Sequence, residues 1–247
     1  MTYATHNQGL FDKLINNDVG VKVEVLGWNT KWNGFKDKFI GVYEFCNSSK
    51  CNDDDIVVFI DGFDSSLKTD IETVKSRFLE MNCKTLFSKD ALEINSVFGK
   101  CLADGTMLNT GLYMGYVKYL KLLLKDAIND TCKDDQRSMN TLCGKYSDII
   151  TVDTDCRIFK NYSPFDKLKT VSYNTCIVSY PGSASVNRYV RSIKEYAQFF
   201  YKYVVLMWLM ALYFFRKDID IVVRYLVPIM AIFLCLYYTY ADRSCSS

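Results

Sequence analysis

Residues Ile56–Asp64, with the sequence IVVFIDGFD, run from a continuous apolar segment into two acids separated by a glycine turn. The apolar segment is typical of a strand buried on both faces of a parallel sheet. Such a strand delivers Asp61 to its carboxyl end, and the turn at Gly62 brings Asp64 beside it. Neighbouring carboxylates repel each other unless a positive charge lies between them, which favours a hard divalent cation with oxygen ligands. A solvated turn rich in Asp and Gly is the alternative.

The rest of the first 200 residues alternates short strands with helices. Apolar runs and apolar alternation predict strands, whereas apolar spacing near 3.6 residues predicts helices. The predicted strands are Val21–Gly27, Ile56–Asp61, Thr85–Ser88, Asp148–Val152 and Cys176–Ser179. The predicted helices are Lys36–Phe45, Thr69–Met81, which opens with the capping box Thr69-Asp70-Ile71-Glu72, and Tyr116–Ile128. This order predicts an α/β fold with a mostly parallel sheet, helices on both faces, and ligands beyond the carboxyl ends of the strands.

The composition excludes several classes of protein. Hydrophobic residues make up 49% and charged residues 23% of the 247 residues, which excludes a disordered or collagen-like chain. A formal charge of +2 gives no electrostatic reason to expect nucleic acid as a partner. The single histidine, His6, argues against a histidine-rich metal site and against a Ser-His-Asp triad. The ten cysteines contain no CxxC pair, and they leave the redox compartment open.

Two apolar runs near the end of the sequence predict a membrane anchor. Tyr203–Phe215 and Tyr225–Tyr240 contain no charged residue, and a bilayer core requires roughly 20 apolar residues. A buried core hairpin is one alternative, and Pro228 leaves a re-entrant hairpin as another. The predicted bounds are 1–195 for a large domain, 196–247 for the anchor, and about 199–215 and 222–240 for its two transmembrane helices. We therefore expect an integral protein of an ER- or Golgi-type membrane, with the side of the large domain unassigned because basic residues flank both runs.

Six short blocks follow one another across roughly residues 2–185. They are Leu26-Gly27 with Trp32-Asn33-Gly34, Asp61-Gly62-Phe63-Asp64, Leu86-Phe87-Ser88, Leu108-Asn109-Thr110-Gly111 with Met114-Gly115, Asp134-Asp135-Gln136, and Asp155 with Arg157-Ile158-Phe159. In order and spacing, this set resembles the glycosyltransferase domain of procollagen lysyl hydroxylases and related collagen glycosyltransferases. Each block is weak alone, and the ordered set is what carries the resemblance.

The resemblance implies a GT-A (Rossmann-like) fold, a UDP-sugar donor, and Mn²⁺ or Mg²⁺ as cofactor. It implies that Asp61 and Asp64 hold the metal. It also implies that Asp134 and Asp135 lie near the transferred sugar, where a carboxylate can act as a base or stabilise a sugar cation. An acid pair favoured at a helix N-terminus is the alternative for those two residues. The implied donor contacts are Thr5, Lys38, Phe63, Asn109 and Gly182. The ring of Phe63 would stack on uracil. For Asn109, the alternative role is to close a turn.

Two features depart from that family. The histidine that completes the family's metal shell falls on Tyr180, and the first strand is expected to lack several residues. We therefore predict a membrane-anchored glycosyltransferase that moves a sugar from a UDP-sugar to a hydroxyl acceptor, either a glycan or a hydroxylated protein. A catalytically degenerate scaffold or binding protein at a membrane is the alternative. A membrane-remodelling module is a third hypothesis, suggested by Arg224 within the second predicted transmembrane helix.

Overall fold

The computed structural model of the chain describes residues 1–91, 100–162, 174–181, 205–215 and 217–232. These residues fall into two compact units. All described residues up to 181 belong to the first unit, and those from 205 onward belong to the second. The predicted domain boundary at residue 195 lies outside the described residues.

The first unit alternates strands and helices, and it confirms the α/β class. Its strands are β1 (Thr2–Tyr3), β2 (Val25–Leu26), β3 (Ile56–Ile60), β4 (Ser65–Leu67), β5 (Thr85–Lys89), β6 (Leu108–Tyr116), β7 (Ile150–Asp153), β8 (Phe159–Asn161) and β9 (Ile177–Ser179). Its helices are α1 (Phe11–Ile15), α2 (Lys36–Cys46), α3 (Ile71–Glu80), α4 (Val117–Asn129) and α5 (Asp135–Leu142).

The central strands pair in the orders β2-β1 and β3-β6-β5-β7. Met1 joins the two groups, because its amino group donates to Val58 O at 2.7 Å and its carbonyl accepts from Ile60 N at 3.0 Å, as in a parallel pair. Strands β3, β5 and β7 run in the same direction, whereas β6 runs antiparallel to both β3 and β5. Most strands are therefore parallel, as predicted, and the correction concerns β6 alone, an antiparallel strand inserted between β3 and β5.

Strand β6 is absent from the sequence-based prediction because it contains residues that are depleted in strands. Asn109, Gly111 and Gly115 interrupt its apolar pattern. Packing explains the last of them: a Cβ on Gly115 would lie 2.7 Å from Thr85 Cγ2 and 2.9 Å from Lys84 O. The close approach of β5 therefore requires glycine, which sequence propensity penalises.

The sheet separates two apolar cores. On one face, α2, α4 and α5 cover Phe59, Phe87 and Tyr113. The Tyr113 ring stacks on those of Phe59 and Phe87, with centroids 4.8 and 5.2 Å away. On the other face, α1 and α3 cover Leu86 and Leu112. Because successive side chains of a strand point to opposite faces, β5 and β6 supply both cores, and the prediction of helices on both faces is confirmed.

Two local predictions are corrected by side-chain hydrogen bonds. The strand predicted from residue 21 is shorter, since Asn17 Nδ2 donates to Val21 O and Asn17 Oδ1 accepts from Val21 N, which removes Val21 from pairing. The N-cap of α3 lies one residue later than predicted, at Asp70 instead of Thr69. Asp70 is the N-cap, and its carboxylate accepts from Thr73 N at 2.9 Å.

A disulfide links the loop before β6 to the end of α5. Cys101 and Cys143 are bonded, with Cα atoms 5.0 Å apart and a sequence separation of 42 residues. The enclosed segment contains β6, α4 and the whole of α5. The disulfide therefore fixes the far end of the helix whose first turn carries the predicted Asp134-Asp135 pair.

The second unit is helical where it is described. Residues 205–214 form α6, and α7 (Ile219–Ile221) continues through a π-helical turn (Val222–Leu226) to residue 232. Trp208 Nε1 donates to Leu226 O at 2.9 Å, which ties the two helices together. Within the described ranges, none of the helices has both the length and the apolar character needed to cross a bilayer. The predicted transmembrane helices extend beyond those ranges.

Candidate functional site

Asp61 lies where the sequence predicts it, directly after β3. Its backbone N–H donates to Gly111 O of β6 at 2.7 Å, and its side chain is 30% exposed. A Cβ on Gly111 would lie 3.2 Å from Asp61 Oδ2 and 3.0 Å from Asn109 Oδ1. The glycine therefore leaves space between the Asp61 carboxylate and the Asn109 amide at the edge of the sheet.

Asp64 directly precedes β4, which belongs to the small sheet β4-β9-β8. Its Oδ1 accepts from the hydroxyls of Ser65 at 3.4 Å and Ser179 at 3.1 Å, and only 9% of the residue is exposed. Its carbonyl accepts from Tyr180 N at 2.8 Å, so Tyr180 lies beside Asp64. The Tyr180 ring stacks on Tyr162, with centroids 5.3 Å apart. Tyr180, the residue predicted to stand in place of the family's histidine, is thus a backbone neighbour of Asp64.

Lys38 lies among the acids of the site. It is on α2, its side chain is 8% exposed, and its Nζ is 2.9 Å from Asp135 Oδ2 and 3.6 Å from Asp61 Oδ2. Burial lowers the pKa of Lys38, but the carboxylates of Asp135, Asp61 and Asp64 more than offset this, and the pKa rises above its usual value. Lys38 therefore remains an ammonium that joins α2, β3 and α5 at one point.

The two acids at the start of α5 have different environments. Asp134 is the N-cap, and its Oδ1 accepts from Arg137 N at 2.9 Å, so the structural alternative describes this residue. Asp135 is 6% exposed at its side chain, and its Oδ2 accepts from Thr110 Oγ1 at 2.9 Å in addition to contacting Lys38. Of the predicted pair, Asp135 is the residue that the structure brings together with Lys38 and Asp61.

Asn109 belongs to a polar network that sequence reasoning missed. Its Nδ2 donates to Asp90 Oδ2 and to Gln136 Oε1, both at 3.1 Å, while Gln136 Nε2 donates to Asp90 Oδ2 at 2.7 Å. Asn109 Oδ1 also accepts from Gly111 N at 2.8 Å, so the side chain shapes the local backbone, and its contact with a donor stays a prediction. The one available signal for Asp90 was its position at the end of a strand.

Thr5 and Phe63 are connected through His6. Thr5 Oγ1 lies 2.9 Å from His6 Nδ1, and the imidazole lies 5.2 Å from the Phe63 ring centroid. The two predicted nucleotide contacts therefore lie at one end of the site. Gly182, the remaining predicted donor contact, lies outside the described residues.

Asp61 and Asp64 are the residues whose carboxylates could hold a hard divalent cation. In the part of the chain that the structure describes, no group of three or more His, Cys, Asp or Glu side chains is arranged to hold a metal ion. A cation of this kind is commonly held by one or two carboxylates together with substrate phosphates and water. Asp61 and Asp64 fit that donor set, because both flank one turn and their oxygens suit Mg²⁺ or Mn²⁺.

Comparison with known proteins gives one family match and distant structural neighbours. The family model "PLOD GT domain" matches residues 1–176. No curated protein sequence matches the chain. Solved structures that are similar include A197 from STIV (15% identity, TM-score 0.41, 61% of this chain and 78% of that one). They also include mouse xyloside xylosyltransferase 1 in its apo form (10% identity, TM-score 0.40, 60% of this chain and 64% of that one).

Proposed function

The chain belongs to the PLOD GT domain family of glycosyltransferase domains, and on that premise we propose that it transfers a sugar from a UDP-sugar to a hydroxyl-bearing acceptor with the help of a divalent metal. The observation that supports this most directly is the convergence of Asp61, Lys38 and Asp135 at the end of β3. The buried charges of Lys38 and Asp135 are costly to maintain, so their position beside Asp61 at one sheet edge points to a chemical role.

Each group has a role that follows from its contacts. Asp61 and Asp64 would hold the metal, which supplies positive charge to the departing diphosphate. Phe63 offers an aromatic face to the nucleobase, and Thr5 offers a hydroxyl. Asp135, oriented by Lys38 and by the hydroxyl of Thr110, is a fixed negative charge that can stabilise the cationic character of the sugar during transfer.

We extend the proposal to the cellular setting. Tyr203–Phe215 and Tyr225–Tyr240 would anchor the protein in an endomembrane. The Cys101–Cys143 disulfide favours a lumen in which such bonds persist, since they are rare in the cytosol. The acceptor class, a glycan or a hydroxylated protein, follows from the need for a free hydroxyl.

The test is calorimetric binding of UDP to the detergent-solubilised chain with and without Mn²⁺. We expect binding that requires the metal and is lost in the double variant Asp61→Asn/Asp64→Asn. The matched control is Asp53→Asn/Asp54→Asn, which removes the same charge from exposed acids that pair with surface lysines. The absence of UDP binding under every condition, or equal binding in both double variants, would refute the proposal.

A binding protein without turnover is the second candidate, and Tyr180 favours it. A tyrosine lies beside Asp64 where the resemblance implies a metal-binding histidine, so a metal held by Asp61 and Asp64 would have fewer protein ligands. Release of free sugar or UDP from any of a panel of UDP-sugars, dependent on Mn²⁺ and lost in Asp61→Asn, would exclude this candidate. Metal-dependent UDP binding without turnover would favour it.

A further inference from the structure

Asp90 lies at the same edge of the sheet as Asp61. It directly follows β5, and its backbone N–H donates to Met107 O at 3.0 Å. Strands β3 and β5 run in the same direction on either side of β6, so their carboxyl ends meet at one edge. Ligands of open α/β sheets bind beyond that edge.

The Asp90 carboxylate is held in place by two amides. Asn109 Nδ2 and Gln136 Nε2 both donate to Asp90 Oδ2, at 3.1 and 2.7 Å. Asn109 is buried, while Asp90 and Gln136 are half-exposed. The three side chains thus form one hydrogen-bonded group. Asn109 is its buried part, and Asp90 and Gln136 form a rim that solvent can reach.

The same group is connected to the proposed metal site. Asn109 Oδ1 and Asp61 Oδ2 lie 3.0 and 3.2 Å from the point that a Cβ of Gly111 would occupy, so both line the space beside that glycine. Gln136 follows Asp135 in the first turn of α5. The group is therefore connected to the Asp61 side through Asn109, and Gln136 is the chain neighbour of the acid that pairs with Lys38.

We propose that Asp90 and Gln136 bind hydroxyl groups of the transferred sugar and select the sugar that the site accepts. The inference rests on the proposed function, because it assumes a UDP-sugar whose diphosphate lies at Asp61. A carboxylate beside a primary amide accepts and donates hydrogen bonds at adjacent positions, which matches the neighbouring hydroxyls of a pyranose. Bonds from hydroxyls to an ionised carboxylate are the stronger class, so Asp90 contributes most of the selectivity.

The test compares UDP-sugars with UDP alone in wild type and in Asp90→Asn. The probes are UDP-glucose, UDP-galactose, UDP-N-acetylglucosamine and UDP-xylose, each titrated with Mn²⁺ into the full chain. We expect Asp90→Asn to weaken binding of the preferred UDP-sugar about 10-fold, and to change UDP affinity less than about twofold. Gln136→Met should produce a smaller loss in the same direction, and Asp104→Asn, which alters an exposed turn, should produce none.

Deoxy analogues of the preferred UDP-sugar separate recognition from bracing. The analogue that lacks the bound hydroxyl should bind wild type more weakly than the parent sugar does, but should bind Asp90→Asn as well as the parent does. Equal loss of UDP and UDP-sugar affinity in Asp90→Asn would show that the carboxylate only braces the fold, and unchanged affinities would also overturn the inference. Failure of wild type to bind UDP at all would instead refute the proposed function, so the two failures are distinguishable.

Discussion

Replacing Lys38 by methionine should destabilise the protein strongly. The substitution keeps most of the side-chain volume and removes the ammonium that lies 2.9 Å from Asp135 and 3.6 Å from Asp61. Asp135 would then be a buried carboxylate that keeps its hydrogen bond from the Thr110 hydroxyl but has lost its ammonium partner. The loss therefore comes from the charge left behind rather than from the missing methylene contacts.

The size of the effect follows from burial on both sides of the pair. Lys38 and Asp135 have side-chain exposures of 8% and 6%. Removing one partner of a buried pair costs about 3–5 kcal/mol of unfolding free energy. For a chain of this length, that corresponds to a fall in melting temperature of roughly 6–20 °C.

The pKa of Lys38 is raised in the folded protein, so the stabilisation that Lys38 provides is fully present below its unfolded pKa of about 10.4 and is lost as pH rises further. The loss in Lys38→Met should hence be the same at pH 6 and pH 9.

Thermal unfolding followed by circular dichroism measures this effect. The control is Lys50→Met, which breaks the ion pair with Glu24, where the side chains are 65% and 45% exposed, and should cost less than about 1 kcal/mol. Adding Asp135→Asn to Lys38→Met should recover part of the loss, since the unpaired charge disappears. Two results would refute the reasoning. One is a loss of unfolding free energy in Lys38→Met that is no larger than in the control, and the other is a double variant whose loss equals the sum of the losses in Lys38→Met and Asp135→Asn.

The remaining predictions concern a ligand, a disulfide and a glycine. Tyr180→His should tighten Mn²⁺ binding without nucleotide by about tenfold in calorimetry, because it adds an imidazole to an oxygen-only site; unchanged affinity would contradict the proposed metal position. Cys143→Ser should lower the unfolding free energy by about 4 kcal/mol, because it frees the Cys101 loop in the unfolded chain. Because Cys132 is disulfide-bonded as well, a reducing agent should destabilise both proteins, and it should destabilise wild type more than this variant. Gly115→Ala should lower the unfolding free energy, measured by urea denaturation, by about 1–3 kcal/mol, because the added methyl group clashes with Thr85. Adding Thr85→Ser should restore part of this free energy. A loss below about 0.5 kcal/mol in Gly115→Ala would show that β5 can shift at no cost.

The elements that sequence predicted well are those whose own residues suffice to specify them. β3 is a run of apolar β-branched and aromatic residues, and α4 has an apolar stripe at helical spacing. Helices α2 and α4 lie within one residue of their predicted bounds at each end. In each case burial and backbone preference favour the same structure, so local pattern and fold agree.

What sequence did not predict depends on a partner from elsewhere in the chain. The glycines of β6 make sense only against the close approach of β5 and the carboxylate of Asp61. The same holds for the site: Asp61 could be placed by its strand, but its contact with Lys38 needs the packing of α2. Asp90 carries no motif of its own, and its neighbours Asn109 and Gln136 reach it from β6 and α5.

The insertion of β6 between β3 and β5 constrains the order in which the chain can fold during synthesis. A ribosome finishes β3 and β5 before it makes the strand that both of them pair with. Until residue 116 has emerged, the Asp61 N–H lacks its acceptor and Phe59 lacks the Tyr113 ring. A nascent chain paused at this stage presents three open strand edges, one on β3 and two on β5, because β7 is also still to be made. Open edges are templates for association with other chains. Translation speed through residues 90–116 should therefore influence the yield of folded protein more than speed anywhere earlier.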